Sequence, residues 1–273
     1  MKEKEVCMMK AVCCMTVRDC AQYLWSIFSN LERLRKLFQE FTLLVAYDHC
    51  VDGSEIFLTY FKSVSSFKVV LLPSDTDSPL RTVRIADARN RCLDYMDTLD
   101  NDVHFMVDAD DVNIKPWNIT LLKYYLEKGE WDCVSFNRPD YYDIWALMYP
   151  PFKHHCWGFR NHSRQVVQYM KEDVMKRLEE CNEWIPCESA FNGFAMYITK
   201  RFKGIRYDGT YRAIQPMITN VERQNTLVAL SPLNLPLELD EQFPQSCEHL
   251  YYHLSAIQKK GVRIFISKYM LTS

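Results

Sequence analysis

Val103-His104-Phe105-Met106-Val107-Asp108-Ala109-Asp110-Asp111 decides the reading of this chain. A nearly unbroken apolar run ends abruptly in three carboxylates. Such a run reads as a strand buried on both faces, the kind found inside parallel sheets. In open α/β sheets ligands lie beyond the carboxyl ends of the strands, which is where Asp108-Ala109-Asp110-Asp111 falls. Alternation along an extended segment puts Asp108 and Asp110 on one side. Two carboxylates aimed together repel unless a cation or an arginine joins them. A hard divalent ion, Mn²⁺ or Mg²⁺, would do so with oxygen ligands and would bridge a diphosphate. The plainer alternative is a solvated acidic turn, because a bare D-x-D is common.

Outward from this strand, the preceding chain alternates regularly. Residues 10–16, 41–47 and 67–72 read as strands, the last closed by Pro73 and the polar stretch 74–78. Between them, 23–38 carries apolar residues at three-and-four spacing and 54–64 is also helical. Ile85, Ala88, Cys92, Met96 and Leu99 mark a third amphipathic helix. Strand–helix alternation of this kind predicts a mostly parallel sheet flanked by helices, the α/β class. Beyond Asp111 the regularity weakens. Helices are expected over 119–127 and 166–181, and strands over 132–136, 194–199 and 262–266. The expectation is a single domain over 1–273, regular in 1–136 and irregular in 137–273, with no linker.

Composition removes several function classes. The 273 residues include seven glycines, where average usage would give about nineteen. No G-x-G-x-x-G fingerprint exists. Gly204 and Gly209 have P-loop spacing, but Thr210 stands where that motif needs lysine. A bound nucleotide must therefore have its phosphates held without a glycine-rich cradle. The net charge of −2 lacks the basic face of a general nucleic-acid binder. No apolar run approaches the roughly eighteen residues of a membrane span. The opening Lys2-Glu3-Lys4-Glu5 is too acidic, and the apolar stretch 11–17 too short, for a secretory signal. Eleven cysteines without a C-x-x-C pair then read as reduced, mostly buried thiols of a cytoplasmic protein.

Several segments carry a family resemblance. The strand with Asp108-Ala109-Asp110 resembles the D-x-D element of GT-A glycosyltransferases, and Arg84-Ile85-Ala86-Asp87-Ala88-Arg89-Asn90 resembles the helix many of them place before it. Tyr141-Tyr142-Asp143-Ile144-Trp145-Ala146-Leu147 is similar to a segment of CAP59-like transferases and of glycosyltransferases from large DNA viruses of algae. Ser189-Ala190-Phe191-Asn192-Gly193-Phe194-Ala195-Met196-Tyr197 looks like a strand of the same enzymes. Cys247-Glu248-His249-Leu250 with His253 resembles their C-terminal motif, found also in collagen-type galactosyltransferases. The matches run in order from residue 10 to about 266.

The resemblance implies a GT-A fold and a metal-dependent transferase moving a hexose or pentose to a glycan hydroxyl. The donor would be a nucleotide-diphosphate sugar, with UDP favoured, and the cation usually Mn²⁺. The viral likeness further implies capsid glycan synthesis. Asp110 would sit on the metal, Asp108 near the ribose or a metal-bound water, and Asp48 near the base or ribose, with Asp111 beside them. His249, four residues from His253, would complete the metal shell. Arg84 and Arg89 suit phosphate or the acidic cluster, since guanidinium groups make planar contacts with oxyanions. Asp143 and Glu188 are the candidates for the base that takes the acceptor proton; a retaining mechanism would need none. Trp157, with His155 and Asn192, is assigned to the acceptor, flanked by Gly158 and Gly193. Two rivals stand beside this reading. One is a sugar-nucleotide pyrophosphorylase, disfavoured because residues 10–18 lack glycine; the other is a catalytically silent scaffold of the same fold.

Overall fold

Period-two alternation in β1 (Lys10–Val17) sets the layout. Val12 and Cys14 enter one apolar core, while Ala11, Cys13, Met15 and Val17 enter the other, so the strand is buried on both faces. The computed structural model describes residues 8–154, 156, 158–240 and 242–272. Its strands are β1, β2 (Glu40–Asp48), β3 (Lys68–Ser74), β4 (Val103–Asp108), β5 (Cys133–Asn137), β6 (Trp184–Cys187), β7 (Phe194–Ile198) and β8 (Ile264–Met270). Its longer helices are α1 (Ala21–Leu34), α2 (Ser54–Val64), α3 (Arg81–Met96), α4 (Ile119–Lys128), α5 (Ser163–Glu180), α6 (Asn220–Ala229) and α7 (Glu248–Lys260). The strands form one eight-stranded sheet in the order β3-β2-β1-β4-β7-β5-β8-β6. Only β7 and β6 run against the rest.

Each face has its own cover. Leu24, Ile27, Phe28 and Leu31 of α1 pack with Leu122, Tyr125 and Leu126 of α4 on one face. Ala86, Ala88, Cys92, Leu93 and Met96 of α3 pack with Leu250 and Leu254 of α7 on the other. The α/β, mostly parallel arrangement is the one expected. Two details differ. β3 continues through Pro73, which β3 tolerates because it is an edge strand and a missing N–H there breaks no internal ladder. β6, which contains Pro186, escapes sequence reading for the same reason: short, proline-bearing edge strands lack a period-two signal.

Parallel pairing brings the site together. Thr16 lies level with Asp108 in β4 and with Ala46 in β2, so the three strands end along one rim. β7 then runs back past β4. The amide of Asp108 donates to the carbonyl of Gly193 at 3.0 Å. Gly193 has φ +81, and a Cβ there would lie 2.5 Å from Val112 Cγ2. This glycine lets the two segments approach and supports the end of β4.

Candidate functional site

Beyond the rim opens a cavity of about 740 Å³. Thr16, Arg18, Tyr23 and Asp48 line it on the β1–β2 side, and Arg81, Arg84, Asp108 and Asp110 line its middle. Tyr142, Asp143, Trp145, Glu248 and His249 line it on the β4–β7 side. α3 starts at this wall with no acidic residue in its first turn and no side-chain cap. Arg81 and Arg84 make that part of the wall receptive to anions, while the Thr82 amide of the same turn already donates to Gln245 Oε1 at 3.5 Å.

Arg89 is the hub of the acidic floor. It is 3 % exposed, donates from Nη2 to Asp108 Oδ1 at 2.8 Å, and pairs through Nη1 with Glu248 Oε1 at 2.6 Å. The same Nη1 meets His249 Nε2. Its guanidinium lies 4.8 Å from the ring centre of Phe191. Burial alone would lower the pKa of Arg89, but Glu248 and Asp108 more than reverse this. Asp108 goes the other way: burial raises its pKa against the pull of Arg89.

Asp110 has no such partner. Tyr142 donates its hydroxyl to Oδ2 at 3.0 Å and the amide of Val112 donates to Oδ1 at 3.4 Å. Burial first, and then the charge on Asp108, push its pKa up to about 6. Across the cavity, Asp143 is pushed up to about 7 by burial and by the charges of Asp108 and Glu248. Its loop is held by side chains. Asn192 Oδ1 accepts from the Asp143 amide at 2.8 Å, and Asn192 Nδ2 donates to Phe136 O at 2.9 Å. Arg138, buried beside them, donates to Asn192 O at 2.9 Å and to Asn113 Oδ1 at 2.8 Å.

The structure therefore brings together Asp48, Arg84, Arg89, Asp108, Asp110, Asp143 and His249, all on the cavity wall. Others depart from expectation. Glu188 is not on that wall; its carboxylate is taken by Lys153, a cation from the neighbouring loop. Asp111 is exposed and off the wall, because the turn after β4 rotates it outward. Asn192 is 1 % exposed, and its amide accepts from the Asp143 amide and donates to Phe136 O, so it positions Asp143. His155 and Trp157 lie outside the described residues. Asp48 meets Arg18 at 3.4 Å, and Arg84 donates to Ser78 O at 2.6 Å.

The expected metal set needs correction. Among the described residues no group of three or more His, Cys, Asp or Glu is arranged to hold a metal ion. Arg89 takes one oxygen of Asp108 and faces Nε2 of His249. Asp110 does fit a hard cation, since a carboxylate with a raised pKa beside a second carboxylate lacks a counter-charge. The remaining oxygens would have to come from Asp108 and from a bound ligand.

No protein-family model matches the chain, and no curated protein matches it. Its likenesses are to solved structures. A mycobacterial protein superposes with a TM-score of 0.50 at 11% identity, over 97% of this chain and 67% of that one. The S. aureus TarS 1-349 structure gives 0.49 at 11%, over 94% of this chain and 58% of that one. Glucosyl-3-phosphoglycerate synthase from Mycobacterium tuberculosis, solved with Mn²⁺, UDP and glucosyl-3-phosphoglycerate, gives 0.44 at 14%, over 86% and 71%. The chain thus spans less than two thirds of the TarS fragment. The likeness is one of fold alone, an α/β arrangement around a mostly parallel sheet.

Four wall residues went unread in the sequence. Arg18 follows the end of β1, and the strand-end rule applied to β2 and β4 would have found it as well. Arg81 opens α3 and was hidden by starting that helix at Arg84. Tyr142 and Glu248 stood inside quoted motifs, but only their hydrogen-bond and ion-pair partners reveal what they do. Among the described residues, no helix is long and apolar enough to cross a membrane.

Proposed function

We propose that this protein is a nucleotide-sugar glycosyltransferase that moves a monosaccharide from a UDP-sugar to a glycan hydroxyl with a divalent cation, Mn²⁺ or Mg²⁺. One observation carries the reading: Asp108 and Asp110 end a buried strand at a cavity whose adjoining wall is the arginine-bearing start of α3. Anion-receptive and cation-receptive surfaces thus face a single space large enough for a nucleotide sugar. Asp48 and Arg18 receive the nucleoside, and Arg81 and Arg84 receive the diphosphate. Asp110 holds the cation with Asp108, whose orientation Arg89 fixes. The cation, when bound, neutralises charge developing on the departing diphosphate.

Asp143 takes the proton of the acceptor hydroxyl. Its pKa of about 7 suits a base that must be ionised in neutral solution and still accept a proton in the transition state. Asn192 fixes its backbone, and Ala146 N donates to Oδ1 at 3.2 Å, leaving Oδ2 for the acceptor.

The test is donor hydrolysis across UDP- and GDP-sugars with Mn²⁺, in the intact chain and in Asp110→Ala. At least one UDP-sugar should be hydrolysed, and Asp110→Ala should lower that rate by about a hundredfold or more. Equal rates in the two proteins would overturn the cation assignment. Failure of every nucleotide sugar to bind would favour the silent scaffold.

A further inference from the structure

The cavity is electrically lopsided. Arg18, Arg81 and Arg84 stand with Asp19 and Asp48 along the β1–β2 side and the start of α3. On the β4–β7 side the charged wall residues are Asp143 and Glu248, with Asp108 at their border. The cation paired with them there is Arg89, and it is already shared between Asp108 and Glu248. His249 does not offset them, because burial and then Arg89 lower its pKa well below the ordinary histidine value.

The same side is nonetheless built for hydrogen bonding. Glu248 is 4 % exposed, and Asp143 has one oxygen on Ala146 N and a second with no hydrogen bond among the described residues. His249 is 1 % exposed, and its Nδ1 has no hydrogen-bond partner among the described residues. With Arg89 donating to Nε2, the ring proton resides on Nδ1, which is then a donor. Carboxylates that accept and an imidazole N–H that donates match the hydroxyls of a neutral sugar, each both donor and acceptor. A carboxylate on the sugar brought here would meet Asp143 and Glu248, and the cation paired with Glu248, Arg89, is already shared with Asp108.

We infer that the transferred sugar is an uncharged hexose or pentose, and that Asp143 and Glu248 exclude uronic acids and other anionic sugars from the site. This rests on the nucleotide-sugar reading and adds a rule for the group transferred. It also divides the cavity by charge: the diphosphate is drawn to the start of α3, and the sugar is the only part of the donor that tolerates the acidic side.

UDP-glucose and UDP-glucuronate test this directly, because they differ only in a C6 hydroxymethyl or carboxylate. Their binding to the full chain is measured by calorimetry at pH 8 with Mg²⁺, beside UDP alone. UDP-glucuronate should bind at least tenfold more weakly than UDP-glucose, and roughly a hundredfold for one like-charge contact in part-buried surroundings. Glu248→Gln should narrow the gap at least fivefold, read as the ratio of the two sugar-nucleotide affinities within the variant. Equal affinity of the two sugar nucleotides in the unmodified protein overturns the inference and leaves the transferase reading standing. If UDP and UDP-glucose both fail to bind, the transferase reading falls and the inference falls with it. The comparison in the unmodified protein needs no variant to fold.

Discussion

The two sides of the cavity are built by different means. On the β1–β2–β4 side, functional groups stand where backbone geometry puts them, at the ends of parallel strands and at the first turn of α3. On the β4–β7 side, Tyr142, Asp143, Glu248 and His249 stand where side chains hold them: Asn192, Arg138 and Arg89 tie together segments 49 or more residues apart. Regular secondary structure supplies a charged rim with little help. A base and a sugar pocket must be aimed more finely, and that aim comes from buried polar contacts.

Asp143→Asn breaks the second side most sharply. Transfer to acceptor should fall by about 10²- to 10⁴-fold while UDP binding is retained, as measured by steady-state kinetics and calorimetry. The pH profile adds a sign. Asp143 acts ionised, so the rate in the unmodified protein should rise with pH through about 7, and that limb should vanish in the asparagine variant. Asn192→Ala tests whether the clamp matters separately from the base. It leaves the Asp143 amide and the Phe136 carbonyl unpaired in a buried place, which should cost about 1–3 kcal/mol of stability. Denaturant unfolding reads that cost, and kcat should fall more than UDP affinity.

Gly193→Ala probes the seam between the sides. Its Cβ would press on Val112 at a backbone φ of +81, so thermal unfolding should show a loss of roughly 1–3 kcal/mol. Tyr142→Phe has the smallest expected effect. Removing the phenol from Asp110 leaves a buried carboxylate with one donor fewer. Mn²⁺ binding, followed by electron paramagnetic resonance, should weaken by about three- to tenfold, with stability little changed.

Legibility in the sequence follows the same division. Strands β1, β2 and β4 and helices α1 and α2 were readable because their apolar residues recur at period two or at three-and-four spacing, and Asp48, Asp108 and Asp110 followed from strand ends. Glu188 misled because standing in a motif says nothing about Lys153, which lies thirty-five residues away and takes its charge. Asn192 stands with the acceptor residues in the sequence reading; only the fold shows its amide bonded to the Asp143 amide and to Phe136 O. His249 was expected to bind metal, yet Arg89 reaches it first, a contact between residues 160 apart in sequence. Pairings of that span leave no periodic trace.

The place of β8 in the sheet has a consequence in time. β8 lies between β5 and β6 and, among the described residues, is the one strand paired with β6. β5 ends at Asn137 and β8 starts at Ile264, so a ribosome adding roughly 5–20 residues per second leaves that edge of β5 bare for roughly 6–25 s. During that interval an open, apolar strand edge is available to any other chain. Production of this protein should therefore respond to translation speed and to chaperones that shield strand edges, more than the stability of the finished sheet would suggest.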